Sequence, residues 1–141
     1  AKDLILEAPG FAFPEWCNEE QIRQGKHFMQ KNGKVVFKEA VSCMRRVIES
    51  VLTKNDLMAS QIDFLIPHQA NHRINEAVSQ YFQIDESKVN SSIERYGNCA
   101  SASVPIALDE WVREGRIQPG DLLMFATFAA GFTWGGAALK W

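Results

Sequence analysis

The spacing of apolar residues predicts three amphipathic helices along the chain. From residue 37 onward, apolar residues recur every three or four positions with charges between them, as far as Lys54-Asn55-Asp56 (Phe37, Val41, Met44, Ile48 and Val51). The same spacing predicts a helix over residues 71–82, with an inner face made of Ile74, Ala77, Val78, Tyr81 and Phe82. A third helix is predicted over residues 104–114, where Pro105 lies near the first turn and its missing N–H costs little.

Short apolar runs between these helices predict strands. Residues 62–66 form an apolar run that stops at Pro67, which is typical of a buried strand, and further runs cover residues 4–6, 122–128 and 132–141. Residues 89–93 lead into Tyr96-Gly97-Asn98, which we place at the carboxyl end of another strand. Residues 1–34 are otherwise expected to be irregular, with turn signals at Pro9-Gly10, Pro14 and Asn32-Gly33. Because strands and helices alternate, we expect one α/β domain over residues 1–141, with a mixed, mostly parallel five-stranded sheet and helices on both faces.

Composition narrows the possible classes of protein. The chain has 141 residues, of which 46% are hydrophobic and 23% charged, a balance typical of one globular domain. The net charge of −2 provides no overall basic field for nucleic acid, and no apolar run reaches the roughly 18 residues that a membrane span needs. The first residues lack the order of a signal peptide, and three scattered cysteines do not form a disulfide framework. We therefore expect a reduced, cytoplasmic setting.

Two polar residues stand where a site is expected, because ligands of open α/β sheets collect beyond the carboxyl ends of the strands. His68 follows a predicted buried strand, and Asn98 lies in a run of small residues before a helix. A neutral imidazole can donate from one ring nitrogen while a backbone partner fixes the other, and a carboxamide can donate to the same ligand. Two such donors at one carbonyl oxygen would stabilise an enolate. The alternative is structural: His68 completes a strand–helix corner, and Asn98 tolerates a turn beside Gly97.

Three further features have both a chemical and a structural interpretation. Small residues between aromatic rings over residues 128–136 let a backbone N–H face a thioester oxygen, or they form a packed hairpin. His68 and His72 have the i, i+4 spacing of a zinc site, but Gln69 stands where a zinc protease has glutamate, and we predict no metal. Cys99 could be a local thiol nucleophile, but small buried cysteines are more common and we interpret it as packing.

Several segments, in this order, resemble β-ketoacyl-ACP synthase III. Residues 66–74, IPHQANHRI, resemble the PHQANxRI signature of that family, and residues 95–105, RYGNCASASVP, resemble its GN(T)SAASVP segment. Residues 107–110, 115–117 and 132–135 also match, and residues 32–38 resemble the NGxxVFK stretch. The likeness covers at least residues 32–141.

The resemblance implies a fold and a reaction. Members have a thiolase-like fold of two similar α/β halves, usually as a homodimer, and this chain corresponds to the C-terminal half. A cysteine of the N-terminal half is acylated from acyl-CoA, and the acyl group condenses with malonyl-ACP by decarboxylation, which initiates fatty acid or related biosynthesis. No cofactor is implied beyond these substrates. By resemblance, His68 and Asn98 activate the malonyl thioester, and Phe128 and Ala130 line the pocket, Ala130 at the position of an oxyanion-hole N–H. Arg73 and Lys38 face the acidic acyl carrier protein.

The chain departs from the family pattern in ways that bear on function. The usual FGGGFTWG is FAAGFTWG here, and alanine at positions 129 and 130 restricts the backbone and narrows the pocket. Cys99 replaces threonine, and Gln80 and Tyr81 replace basic residues of the carrier-docking helix. No acylatable family cysteine occurs, so we expect the partner half to supply it and to cover part of the apolar surface. The alternatives are a non-catalytic ketosynthase-like subunit and a ketosynthase of secondary metabolism.

Overall fold

A computed structural model describes residues 3–7 and 17–141. Within them the chain forms five strands and five α-helices, with 3₁₀ turns at Ala59–Gln61, Glu86–Lys88 and Ala100–Ala102. The elements are β1 (Leu4–Ile5), α1 (Glu19–Arg23), β2 (Gln30–Lys31), α2 (Gly33–Lys54), β3 (Phe64–Pro67), α3 (His72–Tyr81), α4 (Ile93–Tyr96), α5 (Ser103–Arg113), β4 (Leu122–Ala129) and β5 (Thr133–Lys140). None of the helices found in these residues is long and apolar enough to cross a membrane.

The main sheet has three strands in the order β3-β4-β5. β3 pairs with β4 in parallel, from Phe64 opposite Leu123 to Pro67 opposite Ala126, and β5 runs antiparallel to β4. β1 and β2 form a separate antiparallel pair: β1 confirms the strand predicted at residues 4–6, whereas β2 lies where we expected irregular chain. The turn signals at Pro9-Gly10 and Pro14 fall outside the described residues. The α/β class is confirmed, but the prediction of a five-stranded, mostly parallel sheet is wrong.

Two predicted strands are missing from the main sheet: the strand at residues 4–6 pairs with β2 instead, and residues 89–93 do not form a strand. They touch the sheet through one parallel bridge, between Val89 and Leu65, and one backbone hydrogen bond of 3.0 Å from Asn90 N to Leu65 O. Beyond that point, the side chain of Gln69 accepts hydrogen bonds from the N–H groups of Ser92 and Ile93, which a neighbouring strand would otherwise bind. The segment then turns into α4 instead of extending the ladder.

Two apolar clusters cover the two faces of the sheet, as predicted. α2 and α3 pack on one face, where α2 contributes buried residues at helical spacing (Ala40, Cys43, Met44, Ile48 and Leu52). α5 packs on the other face through Ala107 and Trp111. Neighbouring residues of β3 belong to different clusters, Leu65 to the first and Ile66 to the second, because side chains of a strand alternate between faces. The sheet is therefore a middle layer between α2 and α3 on one side and α5 on the other.

The helices predicted from periodicity are confirmed, with small shifts of their ends. Asn32 caps α2, since its side chain accepts a hydrogen bond from Val35 N, and Asn71 caps α3 in the same way through Arg73 N. The placement of Tyr81 on the inner face of α3 is wrong. Its ring is 46% exposed and stacks on the guanidinium of Arg45, and its hydroxyl donates to Glu49 at 2.8 Å. The Tyr81 hydroxyl thus has a polar partner on the neighbouring helix α2, and this bond holds the residue at the surface.

Candidate active site

His68 lies at the carboxyl end of β3. Its backbone N–H donates to Ala126 O at 2.9 Å, which continues the parallel ladder by one residue and places the ring at the open end of the sheet. The ring is half-buried, and its Nδ1 lies 2.7 Å from the Oγ of Ser103, at the start of α5. The partner that we expected to be a backbone group is therefore a serine hydroxyl. Burial lowers the pKa of His68 below its ordinary value, because loss of water disfavours the charged ring.

Asn98 lies in the loop between α4 and α5. Gly97 precedes it with φ of 67°, a left-handed conformation that glycine adopts at no steric cost. The Oδ1 of Asn98 accepts a hydrogen bond of 2.9 Å from Ala100 N. Because Oδ1 is the acceptor in this bond, the orientation of the carboxamide is defined and its Nδ2 is the donor end.

The structure places the predicted pair on one cavity. His68 and Asn98 both line an open cavity of about 610 Å³, together with Phe128 and Ala130. Phe128 is buried, and its ring packs against Phe132 with the centroids 5.0 Å apart. Ala130 follows the end of β4 and is exposed. The four residues therefore surround a common space, and their catalytic roles remain predictions.

The first part of the described chain contributes a wall of the same cavity that the sequence interpretation missed. Leu4, Met29, Lys31, Val36 and Phe37 all line it. β2 lies directly before α2 and pairs with β1, which places Leu4 and Lys31 of the strand pair beside Val36 and Phe37 of α2 at the cavity. The apolar spacing of α2 indicated that Phe37 faces inward, but no sequence pattern indicated that the other four residues line a cavity.

The two basic residues assigned to carrier docking lie on different helices. Arg73 is exposed on α3, and its guanidinium carbon lies 5.8 Å from the centroid of the Phe37 ring, which itself lines the cavity. Lys38 is exposed on α2 and does not line the cavity among the described residues. Arg73 is thus close to the cavity wall, and Lys38 follows Phe37 on the outer surface.

Gln69 and Ser103 are two buried residues whose importance the sequence interpretation missed. Gln69 is 0% exposed, and its side chain donates to the carbonyls of Pro67 and Asn90 while it accepts from two backbone N–H groups of residues 92 and 93. Ser103 is 2% exposed and contacts both His68 and the backbone of Gln69. The sequence pointed to Gln69 only in that a polar residue follows directly after a predicted buried strand. For Ser103 the only sequence feature was its position just before a predicted helix.

The structure contradicts a shared helix face for the two histidines. α3 begins at His72, so His68 precedes the helix, and Nδ1 of His72 lies 3.3 Å from the Oγ of Ser91. In the parts of the chain described by the structure, no group of three or more His, Cys, Asp or Glu residues could hold a metal ion. Cys99 is half-buried, and its thiol donates to Tyr96 O at 3.2 Å. Its nearest partner is thus the backbone of its own loop.

Comparison with known proteins identifies the family of the chain. Residues 52–141 match the family model of the C-terminal part of 3-oxoacyl-[acyl-carrier-protein] synthase III. The β-ketoacyl-[acyl-carrier-protein] synthase III of Chlorobaculum tepidum is 41% identical over 138 residues, which are 98% of this chain and 41% of that protein. The enzyme of the same name from Symbiobacterium thermophilum is 43% identical over 138 residues, with the same coverage of 98% and 41%.

Solved structures have the same fold. The β-ketoacyl-[acyl-carrier-protein] synthase III of Thermus thermophilus superposes with a TM-score of 0.85 at 35% identity, and the match covers 100% of this chain and 42% of that one. The corresponding enzyme of Pseudomonas aeruginosa gives a TM-score of 0.84 at 33% identity, with coverage of 99% and 41%. The chain spans about two fifths of the length of the relatives that it matches. Since the family model covers residues 52–141 and the fold is thiolase-like, the chain belongs to the β-ketoacyl-ACP synthase III family, to its C-terminal part.

Proposed function

We propose that this chain supplies His68 and Asn98 to a condensing enzyme that joins an acyl group to malonyl-ACP. In this reaction the malonyl thioester loses carbon dioxide, and the bond electrons form an enolate. The enolate carbon attacks the carbonyl carbon of an acyl group held as a thioester on a cysteine outside these 141 residues. The new carbon–carbon bond forms as the acyl–sulfur bond breaks, and the cysteine sulfur leaves as thiolate. The cysteine thiolate then attacks the carbonyl carbon of acyl-CoA, the acyl–sulfur bond to coenzyme A breaks, and coenzyme A leaves as its thiolate.

The observation that carries the proposal is the placement of both polar groups on one cavity. His68 comes from the end of β3 and Asn98 from the loop before α5, and yet both side chains line the same space. Hydrogen bonds to Ser103 and Ala100 N fix the two groups before a ligand arrives, which is the condition for electrostatic stabilisation of a developing oxyanion. The family of the chain supports a condensing reaction at this site.

The rest of the cavity fits a thioester with a long apolar arm. Apolar side chains form most of the wall, and Phe128 closes part of it near the polar pair. Such a wall excludes water from the enolate. We propose further that exposed Arg73 and Lys38 contact the acidic carrier protein. We also propose that the N-terminal half of the same enzyme carries the cysteine, and that the whole enzyme acts as a homodimer.

Carbon dioxide release from malonyl-ACP tests the assignment. The assay uses the whole enzyme, in which these residues are joined to the part that carries the cysteine. His68→Ala and Asn98→Ala are each expected to reduce the rate by roughly 10²–10³-fold, the cost of one lost oxyanion donor. His72→Ala and Asn55→Ala are matched controls, since both residues are exposed and neither lines this cavity among the described residues.

The outcomes separate the proposal from its alternative. If the controls keep the parent rate and both site variants lose it, the assigned roles hold. If the site variants release carbon dioxide as fast as the parent enzyme, His68 and Asn98 do not act on the malonyl thioester. If the unmodified whole enzyme lacks the reactive cysteine and condenses nothing, the chain belongs to a non-catalytic subunit. The alanines at positions 129 and 130, where the family has glycines, are compatible with that role.

A further inference from the structure

A second cavity, which we call the α3 groove, lies between α3 and residues 84–91 and has a volume of about 260 Å³. Among the described residues, none lines both this groove and the catalytic cavity. Ile74 of α3 lines the catalytic cavity, whereas the groove is lined by polar residues of the same helix, namely Asn75, Glu76, Ser79 and Gln80. Since an α-helix turns once in about 3.6 residues, these polar residues lie on the side of α3 away from Ile74.

Two buried asparagine side chains in the groove lack hydrogen-bond partners. Asn75 is 2% exposed, and neither its Oδ1 nor its Nδ2 has a partner among the described residues. Asn90 is 0% exposed, and its Nδ2 donates to Ala107 O at 3.3 Å, whereas its Oδ1 has no partner in the same part of the chain. Buried polar groups of folded proteins nearly always have a partner. Because both residues line the groove, their carboxamides indicate a polar occupant.

The rest of the lining determines which groups this occupant must carry. Glu76 and Glu86 add two exposed carboxylates, and no lysine or arginine lines the groove in the described part of the chain. The Ser79 hydroxyl donates to Glu76 O at 2.9 Å, so its remaining capacity is that of an acceptor. Acceptors therefore predominate in the groove, whereas Nδ2 of Asn75 needs an acceptor in return.

We propose that the α3 groove binds a compact organic cation that carries N–H donors next to one acceptor, of the class of amino alcohols. An aliphatic ammonium has three protons to donate and no lone pair, which suits the asparagine oxygens and the two carboxylates. A neighbouring hydroxyl can accept from Nδ2 of Asn75. Because the ligand offers both a donor and an acceptor, it satisfies the Asn75 carboxamide in either of its two orientations.

Charge and size both favour such a ligand. Hydrogen bonds that involve an ionised group are roughly twice as strong as neutral ones, so an ammonium competes with water for the acceptors. The carboxylates of Glu76 and Glu86 repel anions. The groove, at about 260 Å³, is several times larger than the volume of a water molecule in the liquid, about 30 Å³. This site goes beyond the proposed function, since it uses no residue of the catalytic cavity.

A ligand-observed NMR titration of the whole enzyme with ethanolamine, in an amine-free phosphate buffer, tests the proposal. Saturable binding with a Kd of roughly 1 mM is expected for a ligand with so few atoms. Added salt should weaken the binding, because it screens the exposed carboxylates. If no saturable binding is found, water satisfies the two carboxamides and the proposal fails.

Two isosteric molecules test the chemical class. Ethylene glycol has a hydroxyl in place of the ammonium, and propylamine has a methyl in place of the hydroxyl. Ethylene glycol should bind at least about tenfold more weakly than ethanolamine, the range for a lost hydrogen bond to a charged group. Propylamine should bind roughly two- to tenfold more weakly, the range for a lost neutral hydrogen bond. Equal affinity for ethylene glycol would show that the groove does not select a cation, and the proposal would be wrong.

Asn75→Leu tests whether the groove is the binding site. Leucine is similar in size to asparagine but removes both polar ends, so ethanolamine should bind roughly ten- to a hundredfold more weakly. The unbound variant should be as stable as the parent enzyme or more stable, because an apolar side chain replaces a buried polar group that lacks partners. A merely structural role of Asn75 predicts the reverse, namely lower stability with unchanged affinity. That result would overturn the proposal.

A surface variant keeps the test decisive if Asn75→Leu does not fold. Glu76→Gln should weaken ethanolamine binding by roughly two- to fivefold, as expected for an exposed ion pair. Glu114→Gln is the matched control, because Glu114 is also exposed but does not line the groove among the described residues. Equal weakening by both variants would indicate a general effect of charge and would refute the site. All of these measurements report binding, so they remain decisive even if malonyl-ACP is not decarboxylated.

Discussion

Replacing Gln69 by alanine removes four hydrogen bonds from the interior. The Nε2 group donates to Pro67 O at 2.9 Å and Asn90 O at 3.0 Å, and Oε1 accepts from Ser92 N at 3.1 Å and Ile93 N at 3.2 Å. At about 1 kcal/mol net for each bond, the variant should lose about 4 kcal/mol of its free energy of unfolding. Gln69 is 0% exposed, so water cannot readily replace the lost partners. Since a whole domain is stable by only about 5–15 kcal/mol, this loss is large.

Equilibrium unfolding in urea, followed by tryptophan fluorescence, measures this loss. Gln61→Ala is the matched control, because Gln61 also accepts from a backbone N–H, that of Met58 at 2.7 Å, but lies at the surface. It should cost less than about 1 kcal/mol, since solvent satisfies the freed group. If Gln69→Ala unfolds within about 0.5 kcal/mol of the parent protein, as a surface substitution does, the side chain does not hold residues 90–93 in the way described.

Two further substitutions test the packing of the sheet and a surface ion pair. Gly136→Ala should cost about 1–3 kcal/mol in thermal unfolding, because a Cβ there would lie 2.8 Å from a backbone oxygen of β4. Gly135→Ala should cost less, because the atom nearest to a Cβ there, Oγ1 of Thr127, is 3.7 Å away. Equal losses of stability in the two variants would contradict this explanation. A hydrogen bond from Arg95 lowers the pKa of Glu110, so this carboxylate contributes stability that is lost as pH falls through its lowered pKa. Glu110→Gln should remove that part of the acid dependence of stability. Because Arg95 is half-exposed, the substitution should cost no more than about 1 kcal/mol of unfolding free energy at neutral pH. Acid unfolding identical to that of the parent protein would refute this contribution of Glu110.

The sequence was sufficient where one physical effect decided the structure. The apolar spacing predicted α2 and α3, because a helix that packs on a sheet must bury one face. It failed at residues 89–93, where buried side-chain hydrogen bonds from Gln69 replaced the pairing of a strand. It also failed at Tyr81, because a hydroxyl with a partner on the neighbouring helix keeps the ring at the surface. Both failures depend on contacts between residues far apart in sequence, and the spacing of apolar residues contains no information on such contacts.

The same limit applies to the candidate site. His68 and Asn98 could be predicted as candidates from their place after predicted strand ends and from the family resemblance, although Asn98 in fact follows the short helix α4. The residues that orient the site could not be identified in this way, because Gln69 and Ser103 act through bonds to the backbone and to a ring nitrogen.

The buried polar residues also explain how the site keeps its geometry next to an open cavity. Gln69 joins the end of β3 to residues 90–93, and Ser103 joins His68 to the start of α5. The backbone N–H of Gln69 donates to the Oγ of Ser103, so Gln69 takes part in both sets of bonds. An apolar contact constrains distance but hardly direction, whereas a hydrogen bond constrains both. Catalytic groups must be held in direction as well as in distance. We therefore infer that the apolar clusters determine where the strands end, and that this polar network determines where the side chains at those ends point.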